Sequence, residues 1–249
     1  MRLLQKSYFQ QNFNHMEEQK GTDIGPLVKI ISHDLRGPLG NFKNVVALFK
    51  AGELQMEQAQ MFMEQIEVGV DRSLKLLDDL IEWSHAGSKD KKITQEELNV
   101  TEVVEAVCEK LSPRYQEKGI TLTFNSKEVE KGFVDKSALK VLTKNLLQNA
   151  LSFTPKGGDV KVDLDEDARQ IIVSVADSGI GIPEKMQDNI FGMGKDNRRL
   201  GTEDEKGTGI GLFICKDLVE KNDGRIWLDH SEEHKGTTFK FSVKKRTTN

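Results

Sequence analysis

The sequence lacks an excess of positive charge and contains very little cysteine. Lysine and arginine number 36 against 40 aspartates and glutamates, which gives a formal net charge of −4. This balance argues against a nucleic-acid partner, because nucleic-acid-binding proteins carry a basic surface. We interpret the short run 244–246 (Lys-Lys-Arg) as a solvated tail. The two cysteines, Cys108 and Cys215, each lie in an apolar helical pattern and are not spaced as a pair, so we expect buried thiols in a reducing compartment.

Long hydrophobic runs are also absent. No apolar run approaches the roughly 20 residues of a membrane span, and the N-terminus has no apolar signal-peptide core. We therefore expect a chain without a membrane segment that acts in the cytoplasm. Hydrophobic residues make up 37% and charged residues 31% of the 249 positions. Such a composition can bury a core, and the length suffices for two modest domains.

The first third of the chain has the pattern of two packed helices. Apolar residues recur at steps of four and three, as in the seam of packed helices. The first seam comprises Ile24, Val28, Ile31, Leu35, Pro38, Phe42, Val45 and Phe49, and the second Met63, Ile66, Val70, Leu74, Leu77 and Ile81. Ala51-Gly52 ends the first helix, and the second fades near Gly87. A helical hairpin buries only one face, so we predict that two copies form a four-helix bundle.

After a polar stretch at 88–92 the pattern changes to short alternating segments between helices. Predicted strands cover 120–124, 160–164, 171–175, 225–228 and 237–243, and predicted helices cover 100–118, 136–152 and 209–221. Because strands and helices mix without a βαβ rhythm, we predict an α+β fold with helices on one face of a single sheet. The predicted divisions are a helical lead-in at 1–20, a helical domain at 21–88, a linker at 89–98 and a second domain at 99–246.

Two asparagines in the second domain suggest a metal-phosphate site. Asn145 and Asn149 are four residues apart, so both side chains leave the same face of a helix. A carboxamide oxygen suits Mg²⁺ alongside phosphate oxygens. Taken alone, the pair is better explained as two solvated asparagines.

A second motif, Asp177-Ser178-Gly179-Ile180-Gly181-Ile182-Pro183, follows the predicted strand 171–175. Two glycines after an aspartate at a strand end let a flat ring approach the backbone closely. The carboxylate can accept a hydrogen bond from an exocyclic amine such as that of adenine. The alternative is an ordinary turn, in which Asp and Gly are also common.

A third motif, Gly207-Thr208-Gly209-Ile210-Gly211-Leu212, opens a helix, where backbone N–H groups attract phosphate. No strand leads directly into it, so it does not fit a dinucleotide fingerprint. The polar loop that precedes it, 192–206, carries Lys195, Arg198 and Arg199. We interpret this loop as a mobile lid that carries cations.

In this order along the chain, the motifs resemble those of histidine kinases. The asparagine cluster, Asp-x-Gly-x-Gly, Asn189-Ile190-Phe191 and Gly-x-Gly-x-Gly resemble the N, G1, F and G2 boxes, and Gly236-Thr237-Thr238-Phe239 looks like the late strand motif of the same domain. His33-Asp34-Leu35-Arg36-Gly37-Pro38-Leu39 resembles the phosphoacceptor box. The likeness spans roughly 25–243. It implies a dimerisation and histidine phosphotransfer hairpin at 21–88 and a Bergerat-type ATP-binding α/β sandwich at 99–246.

The resemblance also implies an activity and the residues that perform it. ATP would phosphorylate His33 within a homodimer, and the phosphoryl group would pass to an aspartate of a response regulator. Asn149 would hold Mg²⁺ with Asn145 beside it, and Asp177 would bind adenine. The implied nucleotide-binding residues are Asn145, Asn149, Asp177, Gly179, Gly181, Ile182, Phe191, Arg198, Gly207, Thr208, Gly209, Ile210, Gly211, Leu212 and Thr237.

The position of His33 on its helix supports this role. His33 is two residues from both Ile31 and Leu35, so at about 100° per residue it lies roughly opposite the apolar seam. The carboxylate of Asp34 would orient the ring and leave Nε2 as the nucleophile. Adjacent helical residues do not face each other, but Pro38 crowds the carbonyl of Asp34 and predicts a local bend there.

Two positions depart from the family pattern, and two other functions compete with kinase activity. Gly37 stands where a hydroxyl or carboxamide often supports phosphatase activity, so we expect little of it. Ser152 replaces a frequent phosphate-binding lysine, for which the lid cations or Lys156 are the possible substitutes. An ATP hydrolase of the gyrase or chaperone type would need a glutamate at Asn145. The other alternative is a dimeric scaffold that binds nucleotide without turnover, and the complete motifs argue against it.

Overall fold

The chain divides into two compact units, and the division falls inside one long helix. The computed structural model describes residues 25–52, 56–87, 94–126, 131–192, 199–203 and 207–245. The first unit ends at Leu74 and the second begins at Lys75. The predicted lead-in at 1–20 lies outside the described residues. Within the described ranges, no helix is both long and apolar enough to cross a membrane.

Two long helices form in succession, as predicted. Helix α1 covers Gly25–Ala51 and helix α2 covers Met56–Gly87. Gly52 ends α1 with a φ of 70°, a left-handed conformation in which glycine is favoured. The helix continues through His33 and Pro38 without interruption. The side chains of His33, Asp34 and Pro38 are outside the described part, so the outward orientation of His33 and the bend remain predictions.

The apolar seams of the first unit are only partly buried. Val45 and Ile66 are at most 9% exposed, whereas Phe49 is 73% and Met63 is 56% exposed. Phe42, Val70 and Leu74 are also exposed. A stripe of large apolar side chains therefore remains on the surface of the single chain.

The second unit contains the sheet and its helices. Its helices are α3 (Val100–Glu117), α4 (Lys136–Phe153), α5 (Glu184–Gln187) and α6 (Gly211–Lys221). Its strands are β1 (Glu96–Leu98), β2 (Thr121–Ser126), β3 (Gly132–Val134), β4 (Asp159–Glu166), β5 (Gln170–Asp177), β6 (Ile226–Glu232) and β7 (Gly236–Lys244). The five predicted strands and three predicted helices of this region are all present, with ends shifted by a few residues.

One mixed sheet carries the domain. Its strand order is β2-β4-β5-β7-β6, with β2 and β4 parallel and the other neighbours antiparallel. Along β4, Val160, Val162 and Leu164 are buried while the residues between them are not, so one face of the sheet meets the helices. Helix α4 packs between α3 and α6 and against β5. The α+β prediction is confirmed in this domain.

Two details differ from the sequence analysis. Residues 96–98, expected in the linker, pair antiparallel with Gly132–Val134 in a separate two-stranded sheet; three-residue strands show too little alternation to be recognised from sequence. The expectation of a solvated tail at 244–246 was wrong for Lys245, which is 8% exposed and pairs with Glu166 at 3.0 Å. Lys244 ends β7 and is exposed to solvent. Arg246 lies outside the described residues.

Asp135 fixes the start of α4. One of its carboxylate oxygens, Oδ1, accepts hydrogen bonds from the N–H groups of Ser137 (2.8 Å) and Ala138 (3.0 Å). These N–H groups have no partner within the helix, so the cap stabilises its first turn. Oδ2 accepts a further bond from Thr94 N–H at 3.3 Å. Asp135 is therefore hydrogen-bonded both to the start of α4 and to the segment that precedes α3.

We expect Asp135→Ala to lower the free energy of unfolding by about 1 kcal/mol, because the cap is lost. Asp135→Asn retains an acceptor oxygen and should lose much less. The measurement is urea denaturation followed by the fluorescence of Trp83 and Trp227, which both lie in the second unit. Equal stability of the Ala variant and the unmodified protein would contradict the capping role.

Candidate functional site

One face of α4 borders two adjoining cavities. Asn149 and Phe153, four residues apart, line both of them, and Asn145, one turn earlier, lines one. The opposite side of the helix buries Leu147 and Leu151 in the core. The predicted shared face of Asn145 and Asn149 is thus present, and it borders a cavity instead of open solvent.

The first cavity, called the loop cavity, is bounded by residues 207–211. Its lining also includes Asn145, Gln148, Asn149 and Ser152 of α4. Helix α6 begins at Gly211, and the N–H groups of a first helical turn lack intrahelical partners. Such a helix start beside a glycine-rich loop attracts anions such as phosphate. Two residues of α2, Lys75 and Asp79, also belong to the lining.

The second cavity, called the carboxylate cavity, contains Asp177 at the end of β5. Its Oδ1 accepts hydrogen bonds from Gly179 N–H (2.9 Å) and Thr237 N–H (3.2 Å). The rest of the lining is largely apolar, with contributions from Ile182, Met186, Ile190, Leu212 and Phe239. An apolar slot with one carboxylate fits a flat ring that carries an amino group.

Burial raises the pKa of Asp177 to about 6, and the two backbone N–H donors oppose this rise. Desolvation is the larger effect, since the carboxylate lies among apolar side chains and no lysine or arginine pairs with it among the described residues. A carboxylate in such surroundings costs folding free energy when ionised. Residues that carry such a cost are often functional.

Backbone packing explains the second glycine of the Asp177 motif. Gly181 has a φ of 65°, and a Cβ there would collide with the carbonyl oxygen of Glu232. Only glycine fits this position without moving the β6–β7 connection. The motif therefore brings its backbone close to a neighbouring turn and forms a wall of the carboxylate cavity.

Most predicted binding residues line one of the two cavities, but several do not. The loop cavity is lined by Gly207, Thr208, Gly209, Gly211 and Leu212. The carboxylate cavity is lined by Asp177, Gly181, Ile182 and Thr237.

Three predicted residues lie behind the lining. Phe191 packs edge-on against Phe239, with ring centroids 6.0 Å apart, and Ile210 is fully buried. Gly179 lies beneath Asp177, to which its N–H donates. Arg198 is outside the described residues. His33 and Asp34 belong to the first unit.

Sequence reasoning missed several lining residues. Phe153 follows Asn149 at the same four-residue spacing, so its position was detectable. Ile190 and Phe239 belong to motifs that the sequence analysis quoted but were not assigned to the site, and Met186 is an ordinary apolar residue with no distinguishing signal. Of the lid cations, Arg199 lines both cavities, donates to the carbonyl of Gly181 and places its guanidinium 5.8 Å from the ring centroid of Phe153.

Ser152 stands where related proteins frequently have a phosphate-binding lysine, and two other lysines were compared as its possible substitutes. Lys156 borders neither cavity and lies instead beside Gly119. Lys75, on α2, does line the loop cavity. No local pattern in α2 indicated this, because the contact arises only from the tertiary fold.

The second domain matches a known protein family. The family model described as "Histidine kinase-, DNA gyrase B-, and HSP90-like ATPase" covers residues 134–247. This range includes α4, the four strands β4 to β7, the carboxylate cavity and all of the loop cavity except Lys75 and Asp79. The match is to a family of ATPases that contains both kinases and hydrolases.

Individual relatives extend the likeness beyond this domain. The chain is 32% identical to the phytochrome-like protein Cph1 of Synechocystis sp. over 91% of its length, and 28% identical to the sensor histidine kinase WalK of Bacillus subtilis, also over 91%. It spans 30% and 38% of those two proteins. The crystal structure of histidine kinase ThkA in complex with response regulator protein TrrA has a similar fold, with a TM-score of 0.67 and 20% identity over 99% of this chain and 67% of that one.

We expect the stability of the protein to fall as the pH rises through about 6, because of Asp177. Its pKa is higher in the folded than in the unfolded state, so protonation favours folding. This contribution is complete below about pH 4 and is lost above the folded pKa. Asp177→Asn should therefore raise the free energy of unfolding at pH 8 by about 1–2 kcal/mol, allowing for partial exposure, and should change it little at pH 4.

Urea denaturation of the variant and the unmodified protein at both pH values tests this. Asp159→Asn is the matched control, since Asp159 is exposed at the start of β4 and its substitution should have little effect at either pH. Destabilisation by Asp177→Asn at pH 8 would contradict the assignment of a desolvation cost.

Proposed function

Since the chain belongs to the sensor histidine kinase family, we propose that it transfers the γ-phosphoryl group of ATP to His33 and passes it to an aspartate of a response regulator. The observation that carries this proposal is the meeting of two chemically different cavities at Asn149. The carboxylate cavity suits adenine, and the loop cavity suits phosphates.

The two cavities divide the binding of ATP between them. Asp177 accepts a hydrogen bond from the adenine amine, while Ile182 and Leu212 contact the ring. The backbone of residues 207–211 and the start of α6 bind the phosphates. Arg199, which borders both cavities, lies where it can reach the nucleotide from the lid side.

The donors at the loop cavity fit Mg²⁺. Within the described part of the chain, no group of three or more His, Cys, Asp or Glu side chains is placed to hold a metal ion by itself. Mg²⁺ usually keeps few protein ligands and binds through substrate phosphates, so the carboxamide oxygen of Asn149 suffices, with Asn145 beside it. A Mg²⁺ ion held there with ATP would supply neutralisation of the phosphate charge.

His33 is the proposed nucleophile. Its Nε2 attacks the γ-phosphorus, the N–P bond forms, and the bond from phosphorus to the β–γ bridging oxygen breaks, so that ADP leaves. Asp34 accepts the Nδ1 proton and keeps Nε2 free for the attack. A receiver aspartate then takes the phosphoryl group. The complex of ThkA with its response regulator supports a partner of this kind.

Hydrolysis is the less favoured reaction at this site. An ATP hydrolase needs a carboxylate one turn before the metal-binding asparagine to take a proton from water. Asn145 occupies that position, at 8% exposure, and a carboxamide cannot act as a base. Gly37 has no side chain to hold water near His33, so we also propose little phosphatase activity toward the regulator.

We propose that the protein acts as a homodimer through its helical region. The exposed apolar stripe of the first unit, which includes Phe49, Met63 and Val70, is costly in water unless a second copy covers it. We expect light scattering at micromolar concentration to give twice the 28.1 kDa chain mass. Met63→Glu combined with Val70→Glu should shift the mass toward the monomer, whereas Glu67→Gln on the same helix should not. A monomeric unmodified protein would refute the proposal.

We expect His33→Gln and Asn149→Ala to separate the two halves of the reaction. His33→Gln should abolish acid-labile phosphorylation by labelled ATP and leave Mg-ATP affinity unchanged, because nucleophile and nucleotide site lie in different parts of the chain. Asn149→Ala should weaken Mg-ATP binding at least about tenfold. His85→Gln, in α2, is the control for loss of a helical histidine. Acid-labile phosphate on His33→Gln would place the acceptor elsewhere.

A further inference from the structure

The C-terminal part of α2, residues 75–87, docks against the nucleotide-binding domain within the second unit. We call it the docked segment. Three of its side chains make polar contacts. Asp79 Oδ2 accepts a hydrogen bond from Thr208 Oγ1 at 2.8 Å. Glu82 pairs with Lys144 at 2.5 Å, and Trp83 Nε1 donates to Asp217 Oδ2 at 2.6 Å.

Asp79 brings a negative charge into the loop cavity. It is 9% exposed and lines the cavity together with Asn145, Asn149 and the 207–211 loop. Burial raises the pKa of Asp79, while the bond from Thr208 and the charges of Lys75 and Lys144 lower it. Lys75 is exposed and its charge is screened by solvent. The carboxylate is therefore the charged group that dominates this wall of the cavity.

The docked segment uses groups that would otherwise attract phosphate. The hydroxyl of Thr208 belongs to the glycine-rich loop, and it donates its hydrogen bond to Asp79. Lys144 directly precedes Asn145, and Glu82 neutralises its ammonium group. A nucleoside triphosphate brings several negative charges to the same loop. These charges and the Asp79 carboxylate would lie a few ångströms apart in a partly buried site and would repel each other strongly.

We propose that Asp79 is an internal competitor of the nucleotide's phosphates, so that the docked segment and a bound triphosphate disfavour each other. This inference rests on the proposed nucleotide-binding function. The coupling is reciprocal. If nucleotide binding weakens docking of the segment by some factor, then drawing the segment away from the domain strengthens nucleotide binding by the same factor.

Contacts at Trp83 hold the docked segment from outside the cavity. Asp217 accepts from Trp83 and also pairs with Lys221 at 2.7 Å, while the Lys221 ammonium lies 5.4 Å from the centroid of the Trp83 ring. None of these three residues lines either cavity. Trp83 and Lys221 are partly exposed, whereas Asp217 is 8% exposed. When Trp83 leaves, the Asp217 carboxylate keeps Lys221 as a partner, so the segment can detach without leaving a buried charge unpaired.

Calorimetric titration of the full chain with ATP, ADP and adenosine at constant Mg²⁺ tests the proposal. Asp79→Asn keeps the size of the side chain and removes its charge. We expect it to tighten ATP binding about three- to tenfold, to tighten ADP binding less, and to leave adenosine binding unchanged. Asp78→Asn removes the same charge from an exposed neighbour and should change none of the three affinities by more than about twofold.

Trp83→Ala provides an independent variant, because it loosens docking without touching the cavity. It should also tighten ATP binding, and its effect should not add to that of Asp79→Asn, since both act by removing the same competitor. Full additivity of the two effects would overturn the proposal. So would equal ATP affinity in Asp79→Asn, Trp83→Ala and the unmodified protein.

Two further outcomes have distinct meanings. If Asp79→Asn weakens Mg-dependent binding, the carboxylate attracts the metal ion, and the competition is refuted. If it tightens adenosine binding as much as ATP binding, the effect does not depend on phosphate charge, and the competition is again refuted. Failure of every variant and of the unmodified protein to bind ATP would overturn the proposed function itself, whereas unchanged binding across the variants overturns only the competition.

Discussion

Helix α4 has to satisfy the core and the candidate site with the same 18 residues. It packs against α3, α6 and β5, and the sides that make these contacts carry mainly buried leucine and alanine. The remaining face has to supply everything polar that the cavities need. Its first turn is fixed by Asp135, and Tyr115 of α3 donates to the carbonyl of Leu147 at 2.6 Å. The rotation and position of α4 are thereby set from several directions, and the positions of Asn145 and Asn149 follow from them.

The cavities also contain carboxylates in costly positions. Asp177 lies among apolar side chains at one end, and Asp79 is nearly buried at the other. Burial raises the pKa of both. Among the described residues, neither carboxylate has a close ion pair of the kind that Lys245 and Glu166 form with each other. Stability alone would favour neutral residues at both places, so these positions fit a site in which function opposes stability.

Much of the fold could be predicted from sequence because its elements carry strong periodic patterns. The alternation in β4, β5 and β7 is a local signal, and so is the apolar spacing of α3 and α4. Asn145, Asn149 and Asp177 were recognised because their motifs keep short, fixed spacings. Arg199 was expected only as one of the lid cations that could bind phosphate, and Asp79 was not expected at the site, since only the tertiary fold brings α2 and the lid to α4. The burial of Lys245 was missed for the same reason, because its partner Glu166 lies about 80 residues earlier.

The continuity of α2 has a mechanical consequence. One unbroken helix of 32 residues begins in the first unit and ends in the docked segment. An α-helix of this length is a stiff rod of roughly 48 Å, with side-chain ends about 5–6 Å from its axis. A rotation of the docked segment by about 20° about its own axis would therefore displace the Asp79 carboxylate by roughly 2 Å. That displacement is comparable to the 2.8 Å length of the bond between Asp79 and Thr208, so a small rotation of the docked segment within the second unit is enough to break this bond.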